Sequence, residues 1–504
     1  MRKDFSLVMS SQRIASQPYA ERPRPAGVSL LKPRKPGYFL FVVSLLLMLL
    51  LSGCSLLPSQ QGNASTTPPA GLSPTPTIST MPTATSTSAT NATGDWTTYH
   101  QNNNRTGYVA NAPDPTTLTK AWSKQLDGAV YAEPLVVGGR LLVVTENDSL
   151  YAFDSQTGKL LWHTHVGTPV PQSALPCGNI FPLGITGTPV YDPATGLVFA
   201  VAEITGPAHI LVGLDVATGK VKVRRSADIS GMDARAHQQR AALALWSGMV
   251  YIAYGGLDGD CSDYRGTVVA TKTDGSGALL SYRVPTSREA GIWATPGPSV
   301  DSQGHLYVAV GNGAQTSGSW DHSDSVLRLS STLQLEDGFA PVHWPTENAN
   351  DADLGSTGPI LLPHGWIYAD GKSGLAYVLK ASNLGGIGGQ TTVVSVCRAF
   401  GGDAAIGSQV LVPCTSGLRS LKVSSTGKVT LGWQASSTLQ SSPIAGGHTV
   451  YDVDIHGTLY ALNSATGAVR TSIFVGSATR FVTPTLSGHL LFVGTYAGIV
   501  AIKI

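Results

Sequence analysis

Few side chains in this 504-residue sequence have spacings that would carry chemistry on their own. Asp351-Ala352-Asp353 ends a polar run that begins Asn348-Ala349-Asn350, so two carboxylates stand two residues apart in a loop. Gly311-Asn312-Gly313 sets one amide between two glycines, a pattern that also suits a tight turn. Gly371-Lys372-Ser373 ends like a phosphate-binding loop, but the first glycine of that motif falls on Trp366, so a nucleotide loop is rejected. His163-x-His165 puts two imidazoles on one face of a strand, where exposure is the expected fate. There is no G-x-S-x-G elbow and no C-x-x-C pair. Of five cysteines, Cys54 directly follows the leader, and four remain. An even number in an exported chain permits disulfides. Cys397 and Cys414 lie on what should be adjacent strands and are expected to pair, which leaves Cys177 for Cys261.

These groups need a scaffold, and internal repetition describes one. Leu150-Tyr151-Ala152-Phe153-Asp154-Ser155-Gln156-Thr157-Gly158 recurs as Leu211-Val212-Gly213-Leu214-Asp215-Val216-Ala217-Thr218-Gly219 and as Leu459-Tyr460-Ala461-Leu462-Asn463-Ser464-Ala465-Thr466-Gly467. Each copy reads as an alternating strand and a turn in which Asp or Asn bonds the backbone and Gly takes positive φ. A shorter apolar strand precedes each copy. Such strands start at Pro134, Pro443 and Pro484, and more weakly near Pro189, Ala241, Pro298, Pro359 and Ala404. Eight starts at a mean spacing of about 50 residues predict eight four-stranded blades of a β-propeller, all-β in class. The last copy lacks one strand before the chain ends at Ile504. Ala121-Trp122-Ser123-Lys124-Gln125-Leu126 matches the outer strand around Trp162 and has no blade of its own. It is predicted to complete blade eight and close the ring.

Composition agrees. There are 57 glycines and 13% charged residues, which suits many short strands and tight turns. The net charge of +2 comes from the first 53 residues, and the remainder carries a net −4. A mildly acidic body excludes a nucleic-acid footprint. The leader, residues 1–53, joins Lys32-Pro33-Arg34-Lys35 to an apolar run from Tyr38 to Leu51 and ends in Leu51-Ser52-Gly53-Cys54. It resembles a bacterial lipoprotein signal, which implies lipidation of Cys54 and an exported body held at the cell membrane. An uncleaved N-terminal anchor helix is the alternative. Residues 54–94 form the next segment, and of the 37 residues from 58 to 94, 22 are Ser, Thr or Pro and none is charged. That composition predicts an extended stalk below a body at 95–504.

The tandem pattern Tyr-Ala-Phe-Asp-x-x-Thr-Gly-Lys-x-x-Trp at 151–162 resembles the repeat of quinoprotein (PQQ)-type eight-bladed propellers. The opening Asp95-Trp96-Thr97-Thr98-Tyr99-His100 through Arg105-Thr106-Gly107 is similar to that family as well, so the resemblance covers about 95–504. It implies pyrroloquinoline quinone with Ca²⁺ or a lanthanide. Gly291-Ile292-Trp293 would supply a flat floor under the quinone. Asn312 and Asp353 would ligate the metal, Asp351 would take the substrate proton, and Lys372 would polarise a quinone oxygen. The family's glutamate ligand should fall near residues 260–266, where Asp260 or Asp263 would substitute. The adjacent cysteine pair of the quinoprotein dehydrogenases is absent, and so is a C-x-x-C-H haem site. The combination of Gln239-Arg240, Gly259-Asp260-Cys261 and Asp351-Ala352-Asp353-Leu354-Gly355-Ser356 more closely resembles secreted quinoprotein-like propellers of unassigned activity. Trp293, Asn312, Asp351, Asp353 and Lys372 also fit plain packing and turn roles. The expected function is therefore a membrane-anchored, monomeric binding or scaffold module. It would engage a protein or glycan through the long loops Gly313–Ser325 and Val342–Leu354. The alternative is a quinone- and metal-dependent dehydrogenase of an alcohol or sugar.

Overall fold

The recurring turn closes in the same way in each copy. Asp154 Oδ1 accepts the Thr157 N–H (2.8 Å) and hydroxyl (2.7 Å), and Gly158 follows at φ 68°. Asp215 repeats both bonds on Thr218, with Gly219 at φ 70°. Asn463 does the same for the Thr466 N–H before Gly467 at φ 72°. The glycine is required twice over. Its φ disfavours any side chain, and a Cβ at Gly158 would lie 2.6 Å from the Trp122 ring of the preceding blade. Trp162 covers Gly219 and Trp433 covers Gly467 in the same manner. Each indole also donates across the gap: Trp122 to the Ser155 carbonyl, Trp162 to that of Val216, Trp433 to that of Ser464. One Trp–Gly contact thus couples hydrogen bonding to apolar packing between neighbouring sheets.

The computed structural model describes residues 94–504 and shows eight antiparallel sheets arranged as a propeller. The leader, Cys54 and nearly all of the stalk lie outside the described residues. Blade one is Leu135–Val137, Arg140–Thr145, Ser149–Asp154 and Leu160–His165. Its three inner strands are almost wholly buried, and its outermost strand alternates exposed and half-buried positions. His163 and His165 share that exposed face and both lie 3.2 Å from the Ser149 hydroxyl. Blade eight is Thr485–Ser487, Leu490–Thr495 and Gly498–Lys503, completed by Thr119–Gln125 with Trp122 opposite Ala501. The ring closes as the repeat arithmetic requires.

Three features are not legible in the repeat. Blades three, four and seven each gain a short extra strand: His237–Gln238, Gly386–Ile387 and Tyr108–Val109. A six-residue helix, Trp344–Ala349, sits in the long loop before Asp351. The third feature is the segment 94–107, which crosses the axis and bonds every blade. Trp96 pairs with Val136, and the Thr97 carbonyl accepts from Tyr191. Asn103 reaches Leu245 and Val300, Asn104 reaches Leu361, Thr106 reaches Ala405, and Gly107 reaches Ala445. Ser487 of blade eight donates to Gly94. Arg105, 1% exposed, anchors this plug with bonds to Thr98 and to the carbonyls of Tyr99, Leu243 and Pro298. Burial pushes its pKa down to about 10, against the pull of Glu133 and Tyr99.

Candidate functional site

The segments leading into blades four and five and the loops after the second strands of those blades meet around one carboxylate. Asp353, 2% exposed, is their hub. Its Oδ2 accepts the Lys372 ammonium at 2.9 Å and the Trp293 Nε1–H at 3.3 Å. Its Oδ1 accepts the Asn312 N–H in a very short bond. Local glycines make the room. A Cβ at Gly311 would lie 2.8 Å from Asp353 Oδ1, and one at Gly371 would collide with the Asp353 carbonyl. A Cβ at Gly255 would lie 2.5 Å from that of Trp293. The Gly-Asn and Gly-Lys pairs of the sequence are therefore close-approach positions around a buried carboxylate.

Lys372 also lies 2.6 Å from Asp351 Oδ1. Its side chain is 12% exposed and that of Asp351 58%, so the ammonium bridges a buried carboxylate and an accessible one. Burial lowers the Lys372 pKa, but the charges of Asp353 and Asp351 outweigh it and hold the ammonium above its usual range. The Nζ stands 5.8 Å from the Trp293 ring and 5.9 Å from the Phe400 ring. Trp293, Asn312, Asp351, Asp353 and Lys372 thus converge.

Asp260 and Asp263 stand differently. Asp260 Oδ1 accepts the Tyr264 hydroxyl at 2.5 Å, and burial raises its pKa, helped by the charges of Asp353 and Asp351. The Asp263 side chain is 99% exposed and reaches only Arg288, at 4.0 Å. Among the described residues no three carboxylate, imidazole or thiolate groups form a cation cage. Asp353 already accepts three N–H donors. Asn312, Asp353, Asp260 and Asp263 as placed do not fit a Ca²⁺ or lanthanide ion, which needs six or more free oxygens. The positive charge at this point is Lys372.

Both expected disulfides form, Cys177–Cys261 and Cys397–Cys414. The first ties two loops beside Tyr131 and Leu257 and flanks Asp260. The sequence alone gives no site role to a second set of residues: Tyr131, Arg240, Arg398, Phe400, Arg480 and Phe481. Each lies within six residues before a blade's inner strand, the position that faces the axis, and that placement is the signal that could have found them.

The family model for outer membrane protein assembly factor BamB, built on PQQ-type repeats, matches residues 105–293. The polyvinylalcohol dehydrogenase of Sphingopyxis sp. (strain 113P3) is 26% identical over 365 residues, 62% of this chain. The match covers 52% of that relative, so the chain spans about half its length. The quinohemoprotein alcohol dehydrogenase of Comamonas testosteroni superposes with a TM-score of 0.61 at 17% identity, over 82% of this chain and 81% of that one. BamB from Moraxella catarrhalis superposes at 0.55 with 14% identity, over 77% of this chain and 100% of that one. At such identities the two structures share the fold.

Proposed function

We propose that this chain, an eight-bladed β-propeller of the quinoprotein type, is a dehydrogenase that oxidises an alcohol with a bound ortho-quinone as acceptor. The observation that carries the reading is the Lys372 ammonium, clamped between Asp351 and Asp353 beside the Trp293 ring. The residues fit a flat quinone: an indole face, a fixed cation near it, and the Arg240 Nη1 buried at the axis without a hydrogen-bond partner. Trp293 would stack under the ring, and Lys372 would point its N–H at a quinone oxygen. When bound, the quinone would supply a two-electron acceptor for the hydride equivalent of the alcohol's C–H bond, so that loss of the hydroxyl proton would leave a carbonyl product. Asp351 accepts the hydroxyl proton, since its carboxylate is exposed to an incoming substrate and lies 2.6 Å from the Lys372 ammonium. Asp353 positions Lys372 and Trp293 and does not touch substrate. No step is routed through a metal. The relative is named for polyvinyl alcohol, which makes a secondary or polymeric alcohol the first substrate to try. The test is dye reduction by the purified chain with pyrroloquinoline quinone and secondary alcohols. Turnover lost in Lys372→Met is the expected result, and no turnover with any alcohol would overturn the reading.

A second reading is a binding or scaffold propeller, favoured by the matched assembly-factor family. The loops Gly313–Ser325 and Val342–Leu354 would then carry the contact to a protein or glycan. Alanine substitutions at their exposed positions, such as Thr316, Ser317 and Val342, would weaken partner capture and leave the melting temperature unchanged. Export on a lipid anchor at Cys54 belongs to either reading. It is supported by the leader's composition and by two disulfides, which persist in oxidising compartments.

A further inference from the structure

The His163-x-His165 pair has no part in the chemistry above, and its two imidazoles share one target. Both residues lie on the outermost strand of blade one, Leu160–His165. Strand alternation sends them to one face, while Trp162 and Thr164 on the other bond carbonyls of blade two. His163 Nε2 and His165 Nδ1 each stand 3.2 Å from the Ser149 Oγ. That hydroxyl has a single proton and donates it to Asp127 Oδ2 at 2.5 Å. The Thr145 hydroxyl and the Asn147 amide donate to Asp127 as well, each at 2.9 Å. The Tyr151 ring stacks on His163 at 4.2 Å with 9° between the planes, which sets the plane of that imidazole. Asp127 comes two residues after Thr119–Gln125, the strand that completes blade eight, so the cluster sits on the seam where the ring closes.

Two ring nitrogens thus converge on one oxygen whose own proton is already committed. Without an ion, each nitrogen can bond that oxygen only by carrying a proton of its own. A cation can take the place of those two protons. The spacing suits it, since a tetrahedral ion with metal–nitrogen bonds of ~2.0 Å sets its ligands about 3.3 Å apart. Imidazole nitrogen selects Zn²⁺ or Cu²⁺ over the hard ions Ca²⁺ and Mg²⁺. Asp127 stands 4.0 Å from His163 Nε2, behind the hydroxyl, so the set is two imidazoles and an oxygen rather than three carboxylate or imidazole ligands. A carboxylate in that place orients a ligand and makes it more basic. Ser149 is fully buried, whereas the His163 side chain is 39% exposed and His165 is exposed, so the ligands are reachable from solvent.

We propose that His163, His165 and the Ser149 hydroxyl form a Zn²⁺ site on the seam of the propeller, with Asp127 as a positioning residue and water as the fourth ligand. The ion ties the outermost strand of blade one to Ser149, and through Ser149 to the segment that closes the ring. The site shares no residue with the Trp293–Lys372 cluster and does not depend on the dehydrogenase reading.

The test is calorimetric titration of ZnCl₂ into the purified, chelator-treated full-length chain. One Zn²⁺ should bind per chain, and Ca²⁺ or Mg²⁺ should not compete. His163→Gln and His165→Gln should each weaken binding at least tenfold, and Asp127→Asn about tenfold, as for the loss of an outer-shell carboxylate. Both histidines are exposed, so the metal-free melting temperature of each Gln variant should match wild type, while Zn²⁺ should raise the midpoint of wild type alone. Cu²⁺ serves as a spectroscopic probe: its electron paramagnetic resonance should show two nitrogen donors in wild type and one in either single variant. Cys177–Cys261 and Cys397–Cys414 are paired, so these four cysteines offer no thiolate to mimic the signal. No saturable Zn²⁺ binding, binding that persists when both histidines are replaced, or a single nitrogen donor in wild type would overturn the site.

Discussion

Arg105→Met removes the anchor of the axial segment and keeps its length. Four hydrogen bonds are lost: 2.8 Å to Thr98, 3.1 Å to the Tyr99 carbonyl, 3.1 Å to Leu243 and 2.9 Å to Pro298. Thr98 keeps a weaker partner in the Leu243 carbonyl at 3.5 Å, so its hydroxyl is not orphaned. The other carbonyls stay buried with fewer donors, and Glu133 loses a cationic neighbour. The desolvation cost of burying the guanidinium is recovered, which offsets part of the loss. The balance is a destabilisation of about 4 kcal/mol, in the range for breaking one side of a buried charged network. About 400 residues at ~2.1 cal/mol/K each give an unfolding entropy of roughly 0.9 kcal/mol/K, so the midpoint should fall by about 5 °C. Scanning calorimetry reads this directly. Limited proteolysis should also cut within 94–118 of the variant before it cuts any blade. A midpoint within 1 °C of wild type, with no early cleavage, would refute the reasoning that this segment braces the ring.

Three further outcomes follow from the same geometry. Gly158→Val should cost about 3 kcal/mol or more, since it meets both a positive φ and the Trp122 ring, while Gly139→Ala, with nothing within 4 Å, should cost only about 1 kcal/mol of backbone strain; chemical denaturation measures the contrast. Lys372→Met should lower quinone-dependent turnover about 10²-fold or more with little change in far-UV dichroism, and Lys372→Arg should restore part of it. Stability should fall as pH rises through the alkaline range. Burial lowers the His209 pKa, but bonds to Asp228 and Glu203 outweigh it and push it up to about 10, and burial pushes Glu146 and Asp148 up to about 8. All three bind more protons folded than unfolded. Their contribution, on the order of a few kcal/mol, is whole below their ordinary values and is lost through about pH 8 for the acids and pH 10 for the imidazole. Melting curves from pH 6 to 10 check this, and His209→Gln should flatten the upper limb.

The ring was legible because its signals are local. The Asp–Thr–Gly turn, the Trp that covers its glycine, and the unpaired strand at Trp122 all fall within short windows, and their period counts the blades. The plug at 94–107 was not legible, because its bonds run through backbone groups to inner strands up to 393 residues away. A run such as Asn102-Asn103-Asn104-Arg105 shows no periodicity. The site divides along the same line. Glycines mark Asn312 and Lys372 as close-approach positions, Asp351 and Asp353 stand out as paired carboxylates in a polar loop, and the four come together. Asp260 and Asp263 rest on the family resemblance alone, and one is bonded to Tyr264 while the other lies in solvent. The sequence assigns Arg240, Phe400 and Arg480 no site role, because each sits in a different blade and only the closed ring brings them together.

The most direct measurement is calorimetric titration of pyrroloquinoline quinone into the full chain in chelator-treated buffer. Saturable binding at one quinone per chain, weakened at least tenfold in Trp293→Ala and in Lys372→Met, is what a Lys372-centred quinone site predicts. Absence of binding, or equal binding in both variants, would contradict it.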